Sequence, residues 1–213
     1  MATYALAVLN VLVFAADAIC QYFIFGVPAL TLLGAKVNGL ILIYHQWWRL
    51  FTPMFLHSGM THLICNLAAL VIWGRQCEAL LGKARFLIVY FASGLMGSAA
   101  SLCFSSAMSV GASGAIFGLF GALLVFRKHY REIFNAVFGA SVVVIIAINL
   151  VNGLITPNID NFGHIGGLIG GWLACGATGF YGQRDHGGVR AGFAVGFCLL
   201  AAGLIGAAYF RAV

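Results

Sequence analysis

The stretch VGASGAIFG, Val110–Gly118, places a serine among small residues in a chain that is otherwise strongly apolar. Of the 213 residues, 62% are hydrophobic and only 8% are charged, and the mean hydropathy is +1.03. A soluble domain of this length needs far more charge to cover its surface, so the composition predicts an integral membrane protein. A helix made only to lie in lipid would carry leucine here, so the small residues indicate another requirement.

The net charge and the cysteine content indicate which kinds of binding partner and site to expect in this membrane protein. The net charge of +6 is typical of positively charged cytoplasmic loops in a membrane protein, and we expect no nucleic-acid or nucleotide partner. The six cysteines lie in apolar runs without a CxxC pair, which favours small buried hydrophobes. The sequence also lacks an HExxH motif, which argues against a zinc protease of that type. We expect neither a metal nor a cofactor.

Apolar segments long enough for helices recur along the whole chain. A helix rises about 1.5 Å per residue, so about 20 residues cross the hydrocarbon core. The predicted fold is an all-α polytopic membrane bundle of seven spans: Tyr4–Phe25, Thr61–Leu81, Phe86–Phe104, Ser113–Phe126, Ile133–Gly153, Phe162–Tyr181 and Arg190–Phe210.

The basic residues predict the orientation of the bundle. Most of them cluster at alternate turns, which places these turns in the cytoplasm by the positive-inside rule. The N-terminus is then cytoplasmic and the C-terminus outside, and we expect the plasma membrane of a prokaryote. The clustered residues are Arg75, Lys83, Arg85, Arg127, Lys128, Arg131, Arg184 and Arg190, whereas Lys36, Arg49 and Arg211 fall outside.

Three spans deliver polar side chains to one depth. His62 and Asn66 begin span two, Ser113 begins span four and His164 begins span six. Ser113 lies about 20 Å above Phe126 along a helix, which places it roughly 10 Å below the outer surface. Polar groups inside a bilayer usually face a partner or a water-filled cavity.

Glycine spacing predicts which helices touch. Span four carries Gly114 and Gly118 four residues apart, and span six carries Gly163, Gly167 and Gly171. Such ridges of small residues permit close approach of two backbones. We expect spans four and six to pack closely, and the Ser113 hydroxyl to reach the His164 imidazole.

A serine paired with a histidine is typical of nucleophilic catalysis. The hydroxyl is a poor nucleophile until a base within about 3 Å takes its proton, and histidine has a suitable pKa. Acyl transfer also needs donors directed at the developing oxyanion. His62 and Asn66 share one helical face, so their side-chain N–H groups and the Ser113 amide could form that site.

These residues resemble the motifs of the rhomboid intramembrane serine proteases. The serine motif stands as Gly111-Ala112-Ser113-Gly114, and a second signature combines His57, His62 and Asn66. A third signature comprises His164, Gly167 and Gly171, and the Trp48-Arg49 dipeptide matches the first outer loop.

The resemblance implies a six-helix core and roles for its residues. It implies a single membrane-embedded protease domain over 1–213, with a core at 1–181 and an additional helix at 190–210. Ser113 would be the nucleophile, His164 the general base, and His62, Asn66 and the Ser113 amide the oxyanion site. Phe117 occupies a position where family members often stack a tyrosine on the catalytic histidine, so stacking is expected without the hydroxyl. Glu78 resembles a family acid far from this layer, so we expect it to be structural.

The sequence leaves the roles of five polar residues open. Asn66 could merely join helices, His57 could only brace the loop, and Arg49 could anchor at lipid headgroups or lock the loop. Asp17 is an intramembrane acid without a family counterpart. Asp160, four residues before His164, is a candidate third member of a dyad that otherwise lacks a carboxylate.

The predicted function is an intramembrane serine endopeptidase that cleaves transmembrane proteins near the outer face. The alternatives are an inactive rhomboid-like protein that binds membrane helices, and a transporter or channel with a histidine-lined path. The polar residues stop in the outer half, which argues against a path across the membrane. The segment 154–161 around Pro157 is a candidate flap over the site. The sequence leaves the substrate and the oligomeric state undetermined.

Overall fold

The computed structural model describes residues 1–25, 29–157, 159–180 and 187–212, and this part of the chain is helical with one isolated bridge between Lys36 and Ser109. This confirms the predicted all-α bundle. The α-helices are α1 (Ala2–Cys20), α2 (Leu30–Leu33), α3 (Asn38–Leu42), α4 (Met60–Ala69), α5 (Arg75–Leu81), α6 (Lys83–Phe104), α7 (Ser113–His129), α8 (Arg131–Val137), α9 (Ser141–Ile155), α10 (Asn161–Thr178) and α11 (Gly187–Ala212).

The centre of the bundle is formed by α6, α7 and α10. Glycines on two faces of α10 let it lie directly against both neighbours: a Cβ at Gly171 would overlap the Gly118 carbonyl of α7, and one at Gly170 would meet Met96 of α6. Most of α7 is buried, whereas α11 lies at the periphery with mostly exposed side chains. The small-residue ridges therefore place α10 between α6 and α7.

Each predicted span corresponds to one helix or to two consecutive helices, but length and apolarity alone identify fewer crossings. Within the described residues, four helices are long and apolar enough: Ala2–Phe23, Met60–Leu81, Lys83–Phe104 and Gly187–Arg211. Span five is a pair, α8 and α9, bent by 70°, which gives a fifth crossing if the pair is one span. The other two helices that match predicted spans are α7, with 17 residues, and α10, with 18 residues and many glycines.

The predicted end of span six and part of the predicted flap fall at the limits of the described residues. The end of span six at Tyr181 and the basic residue Arg184 lie outside the described residues. In the predicted flap, α9 ends at Ile155 and α10 begins at Asn161, while Asn158 also lies outside them. Span two is one continuous rod, because a π-helical turn at Leu70–Gly74 joins α4 to α5.

The long outer connection is a packed unit built from short helices. Besides α2 and α3 it contains 3₁₀ turns at Trp47–Leu50 and Thr52–Phe55. Arg49 is 4% exposed. Its guanidinium donates to the carbonyls of Thr31 at 2.6 Å and Ala35 at 3.0 Å. Of its two possible roles, these contacts favour locking the loop over anchoring at headgroups.

Candidate active site

Two helix starts meet at the centre of the site. Ser113 is the first residue of α7, and His164 lies in the first turn of α10. Although the two residues are 51 positions apart, His164 Nε2 lies 2.9 Å from Ser113 Oγ, which is a hydrogen-bond distance. The hydroxyl and the imidazole are thus placed for proton transfer.

Glycines beside both residues explain why they come so close. A Cβ at Gly167 would overlap the carbonyl of Gly114, which follows the serine. The carbonyl of Gly163, which precedes the histidine, lies against Gly114 of α7 and Gly97 of α6. Three backbones therefore converge one residue away from the Ser113–His164 contact, an approach that larger side chains would prevent.

The His164 ring is held by packing more than by hydrogen bonds. Phe117 stacks on it with ring centroids 4.3 Å apart and an interplanar angle of 3°. The ring is 8% exposed, and its Nδ1 has no hydrogen-bond partner among the described residues. Asp160, the candidate third member, instead accepts a hydrogen bond from the Gly163 amide at 2.9 Å and caps the start of α10. Among the described residues, Ser113 alone hydrogen-bonds to this imidazole.

Gly111 separates the His62 ring from the serine. Its φ of +126° is a left-handed conformation that favours glycine. A Cβ at this position would lie 2.8 Å from His62 Nε2 and 3.7 Å from Ser113 Oγ. The His62 Nδ1 lies 3.1 Å from the Ser58 hydroxyl, so the Nε2 edge is the one directed toward the serine segment.

Asn66 lies one turn below His62 on the same helix and is buried. Its Nδ2 donates to the His62 carbonyl at 2.9 Å. This bond occupies one N–H of the amide, and the second N–H stays available to another acceptor.

His57 lies behind His62 rather than at the serine. It is 2% exposed, and its ring meets the His62 ring edge-on with centroids 5.1 Å apart. Burial lowers the pKa of His57 to about 4, with a smaller contribution from His62, while the Phe55 backbone opposes the shift. His57 is therefore neutral at pH 7.

Two acids lie away from this site. The Glu78 carboxylate accepts hydrogen bonds from the Ala2 amide at 2.7 Å, the Thr3 amide at 2.9 Å and the Thr3 hydroxyl at 2.7 Å. Asp17 accepts from the Ala29 amide at 3.0 Å. Both contacts hold chain segments together, and neither carboxylate bonds to the residues around Ser113.

Sequence reasoning missed Lys36 as part of the surroundings of the site. It treated this residue only as a charge outside the membrane, whereas the side chain is fully buried against the segment that leads into Ser113. The available signal was a single lysine in an apolar loop, which resembles an ordinary interfacial anchor.

Comparison with known proteins places this chain in a family. A family model described as "Rhomboid domain" matches residues 44–182. The chain is 50% identical over 150 residues to "Rhomboid protease GluP" of Bacillus subtilis, which covers 70% of this chain and 29% of that protein. It is 40% identical over 153 residues to "RHOMBOID-like protein 1" of Arabidopsis thaliana, covering 70% of this chain and 39% of that protein.

Other relatives differ in their described activity. "Putative rhomboid protease YdcA" of Bacillus subtilis is 38% identical over 130 residues, which is 60% of this chain and 65% of that protein. "Inactive RHOMBOID-like protein 8" of Arabidopsis thaliana is 37% identical over 128 residues, which is 59% of this chain and 36% of that protein. The chain thus spans about a third to two thirds of these relatives' lengths. The family match over residues 44–182, together with several apolar helices, shows that this chain belongs to the rhomboid family of multi-pass integral membrane proteins.

Proposed function

We propose that this protein is an intramembrane serine endopeptidase that uses Ser113 as nucleophile and His164 as general base. The observation that carries the proposal is the 2.9 Å distance between Ser113 Oγ and His164 Nε2. A family that includes a protein named as a protease at 50% identity supports the same reaction class.

The chemistry follows from the protonation of the imidazole. With its proton on Nδ1, neutral His164 accepts the Ser113 proton at Nε2 as Oγ attacks a carbonyl carbon of the substrate. The resulting imidazolium then protonates the leaving amine, and a water molecule hydrolyses the acyl-enzyme by the reverse use of the same base. Phe117 keeps the ring in the plane that this transfer requires.

The oxyanion would be stabilised from two directions. Ser113 opens α7, so its amide has no acceptor within the helix. The Nε2 edge of His62 faces the same segment across Gly111, and Asn66 has one amide N–H to spare. These donors fit the requirement for groups directed at developing charge, each worth roughly 10²–10³ in kcat.

The proposed substrates are transmembrane proteins cut near the outer face. A continuous helix keeps its carbonyls in intrahelical hydrogen bonds, so the substrate must unwind before Ser113 can attack. We expect cleavage where small or helix-breaking residues weaken the substrate helix. The same proposal places the N-terminus in the cytoplasm and the C-terminus outside, in a prokaryotic plasma membrane, with the lipid bilayer as the surrounding partner.

The second candidate is an inactive protein that binds membrane helices, since one relative is described as inactive. The two proposals differ in one property. An enzyme needs the Ser113–His164 pair to react, whereas a binder keeps its affinity for membrane helices when either residue is replaced.

A fluorophosphonate labelling experiment tests the proposal. We expect the purified protein in detergent to label covalently at Ser113, and proteoliposomes to cleave a reporter transmembrane helix. Ser113→Ala should abolish labelling and lower cleavage by at least about 10³-fold. His164→Ala should remove labelling although the serine is still present.

The controls separate loss of chemistry from loss of fold. Thermal unfolding of Ser113→Ala should match that of the unmodified protein, because the change removes one half-buried hydroxyl. Undiminished cleavage by Ser113→Ala, or undiminished labelling of His164→Ala, would refute the proposed protease function. Reporter binding without cleavage would instead establish the inactive binder.

A further inference from the structure

The segment 105–112, which connects α6 to α7, ends at the proposed nucleophile. It forms no helix of its own, so its course depends on contacts with other parts of the chain. The amide of Gly111 donates to the Pro53 carbonyl at 2.9 Å, which fixes its last part. The rest of the segment is held by the outer connection, mainly by Lys36, with Asn38 Nδ2 also donating to the Ser105 carbonyl at 3.1 Å.

Lys36 makes four hydrogen bonds to this segment. Its backbone exchanges a pair with Ser109, at 3.0 Å and 3.1 Å. Its Nζ donates to the carbonyls of Ser105 at 2.8 Å and Ala107 at 2.9 Å. Contacts at 105, 107 and 109 therefore define how the connection enters α7.

Burying an ammonium group costs more free energy than burying an apolar side chain of the same size. The Lys36 side chain is 0% exposed, and burial lowers its pKa to about 8, while the charge of Asp160 opposes the shift. A methionine of similar length would fill the same volume without this cost. The charge is therefore retained for the bonds it makes to two carbonyls of the connection, of which Ser105 also accepts from Asn38 Nδ2 at 3.1 Å whereas Ala107 is bound by Lys36.

The charged groups around Lys36 belong to other elements of the site. Asp160 caps α10, the helix that carries His164. Arg49 donates to the carbonyl of Ala35, the residue before Lys36. Lys36 thus lies where the outer connection, the serine segment and the start of α10 meet.

We propose that Lys36 is a positioning residue for the reaction of Ser113, because its ammonium fixes the carbonyls of Ser105 and Ala107 and thereby the segment that presents the nucleophile. The inference rests on the proposed protease function. It assigns to this buried lysine a role in kcat rather than in substrate affinity.

The matched variants are Lys36→Met and Arg211→Met. Both remove a cation that binds carbonyls at the same end of α6, but Arg211 donates to Cys103, within the helix, and makes no bond to 105–112 among the described contacts. We expect Lys36→Met to lower kcat and the fluorophosphonate labelling rate by at least about tenfold at little change in KM, since a 1 Å misplacement costs on the order of 10²-fold. Arg211→Met should keep both rates.

A pH profile provides the readout that a merely structural role would not change. Above about pH 8 the folded protein loses the Lys36 proton before the unfolded chain, whose lysine has the ordinary pKa of 10.5. The folded state then binds fewer protons, so this group alone raises the free energy of unfolding with pH. We expect kcat to fall through this range while stability does not, and Lys36→Arg to shift the fall upward.

The outcomes are distinguishable from those of the protease test. If the unmodified protein shows no Ser113-dependent labelling, the proposed function fails and the Lys36 role fails with it. If that labelling is present but Lys36→Met reacts at the unmodified rate, only the positioning role is overturned. If Lys36→Met does not fold, the pH profiles of the unmodified protein test the role. A decline of both kcat and stability above pH 8 overturns it, whereas a decline of kcat at unchanged or rising stability supports it.

Discussion

Two buried polar clusters occupy opposite ends of the rod formed by α4 and α5, and they differ in how completely their polar atoms are paired. At one end, both Glu78 carboxylate oxygens accept hydrogen bonds, from the Ala2 amide and from the amide and hydroxyl of Thr3. At the other end, Nε2 of His164 lies 2.9 Å from the Ser113 hydroxyl, whereas its Nδ1 has no hydrogen-bond partner among the described residues. The ends lie about 24 Å apart along the helix.

Under the proposed function, the difference separates a stabilising cluster from a reactive one. A buried polar group costs roughly 1–3 kcal/mol unless a protein group, water or a ligand bonds to it. The Glu78 cluster makes full use of its acceptors and fastens the start of α1 to α5. The outer cluster instead brings Nε2 of His164 to the Ser113 hydroxyl, which is the arrangement that the proposed proton transfer requires.

The largest expected effect comes from changing the spacing of the helices that form the outer cluster. A Cβ in Gly167→Ala would overlap the Gly114 carbonyl and push α10 from α7. We expect kcat to fall by at least about 10²-fold, because the Ser113–His164 distance would increase. Overpacking should also lower the free energy of unfolding by about 1–3 kcal/mol.

The matched control for this change is Gly203→Ala in α11, where a Cβ would meet no atom within 4 Å. Kinetics in proteoliposomes and chemical unfolding in detergent measure the two quantities. Unaltered kcat in Gly167→Ala would show that the helices have room to adjust, and the link between glycine spacing and reactivity would be lost.

An intermediate effect is expected at the stabilising cluster. Glu78→Gln keeps the size of the side chain but replaces one carboxylate oxygen with an NH₂ group, which then faces either the Ala2 amide or the Thr3 amide and hydroxyl. We expect a loss of roughly 1–3 kcal/mol in the free energy of unfolding and no change in kcat of the folded fraction. This combination is the reverse of a catalytic defect.

The control for Glu78→Gln is Glu132→Gln, because Glu132 is exposed in the first turn of α8. Surface substitutions of this kind usually change stability by less than about 0.5 kcal/mol. A kcat that fell with Glu78→Gln at full occupancy of the folded state would contradict the division between the two clusters.

The same division explains what the sequence could predict. Helix order followed from apolar runs, and the approach of α7 to α10 followed from the glycine ridges, because both signals are local. The contact of Glu78 with Thr3 joins residues 75 positions apart, and no periodicity marks such a pair. The sequence indicated only that Glu78 lies too far from His62 for chemistry.

The outer connection was harder to predict for a different reason. Its short helices lack the repeated pattern that identifies a span, and two buried cations of the connection, Lys36 and Arg49, bind backbone carbonyls. Nothing in the residue types distinguishes the buried Lys36 or Arg49 from an anchor at the membrane surface. The sequence also did not predict the bend between α8 and α9. Gly139, which has a φ of +55°, lies between the two helices within a run that otherwise looks like one apolar span.

The smallest expected effect concerns the ring that supports His164. Phe117→Leu removes the stacking partner but keeps an apolar side chain, and such contacts are worth about 0.5–1.5 kcal/mol beyond burial. We expect kcat to fall by less than about tenfold, because the imidazole gains freedom to turn away from Ser113. Phe120→Leu is the matched control, since Phe120 packs edge-on against Phe117 without contributing to the His164 stack. Equal losses of kcat in both variants would assign the effect to general packing, whereas a loss confined to Phe117→Leu would show that the stacked ring orients the base.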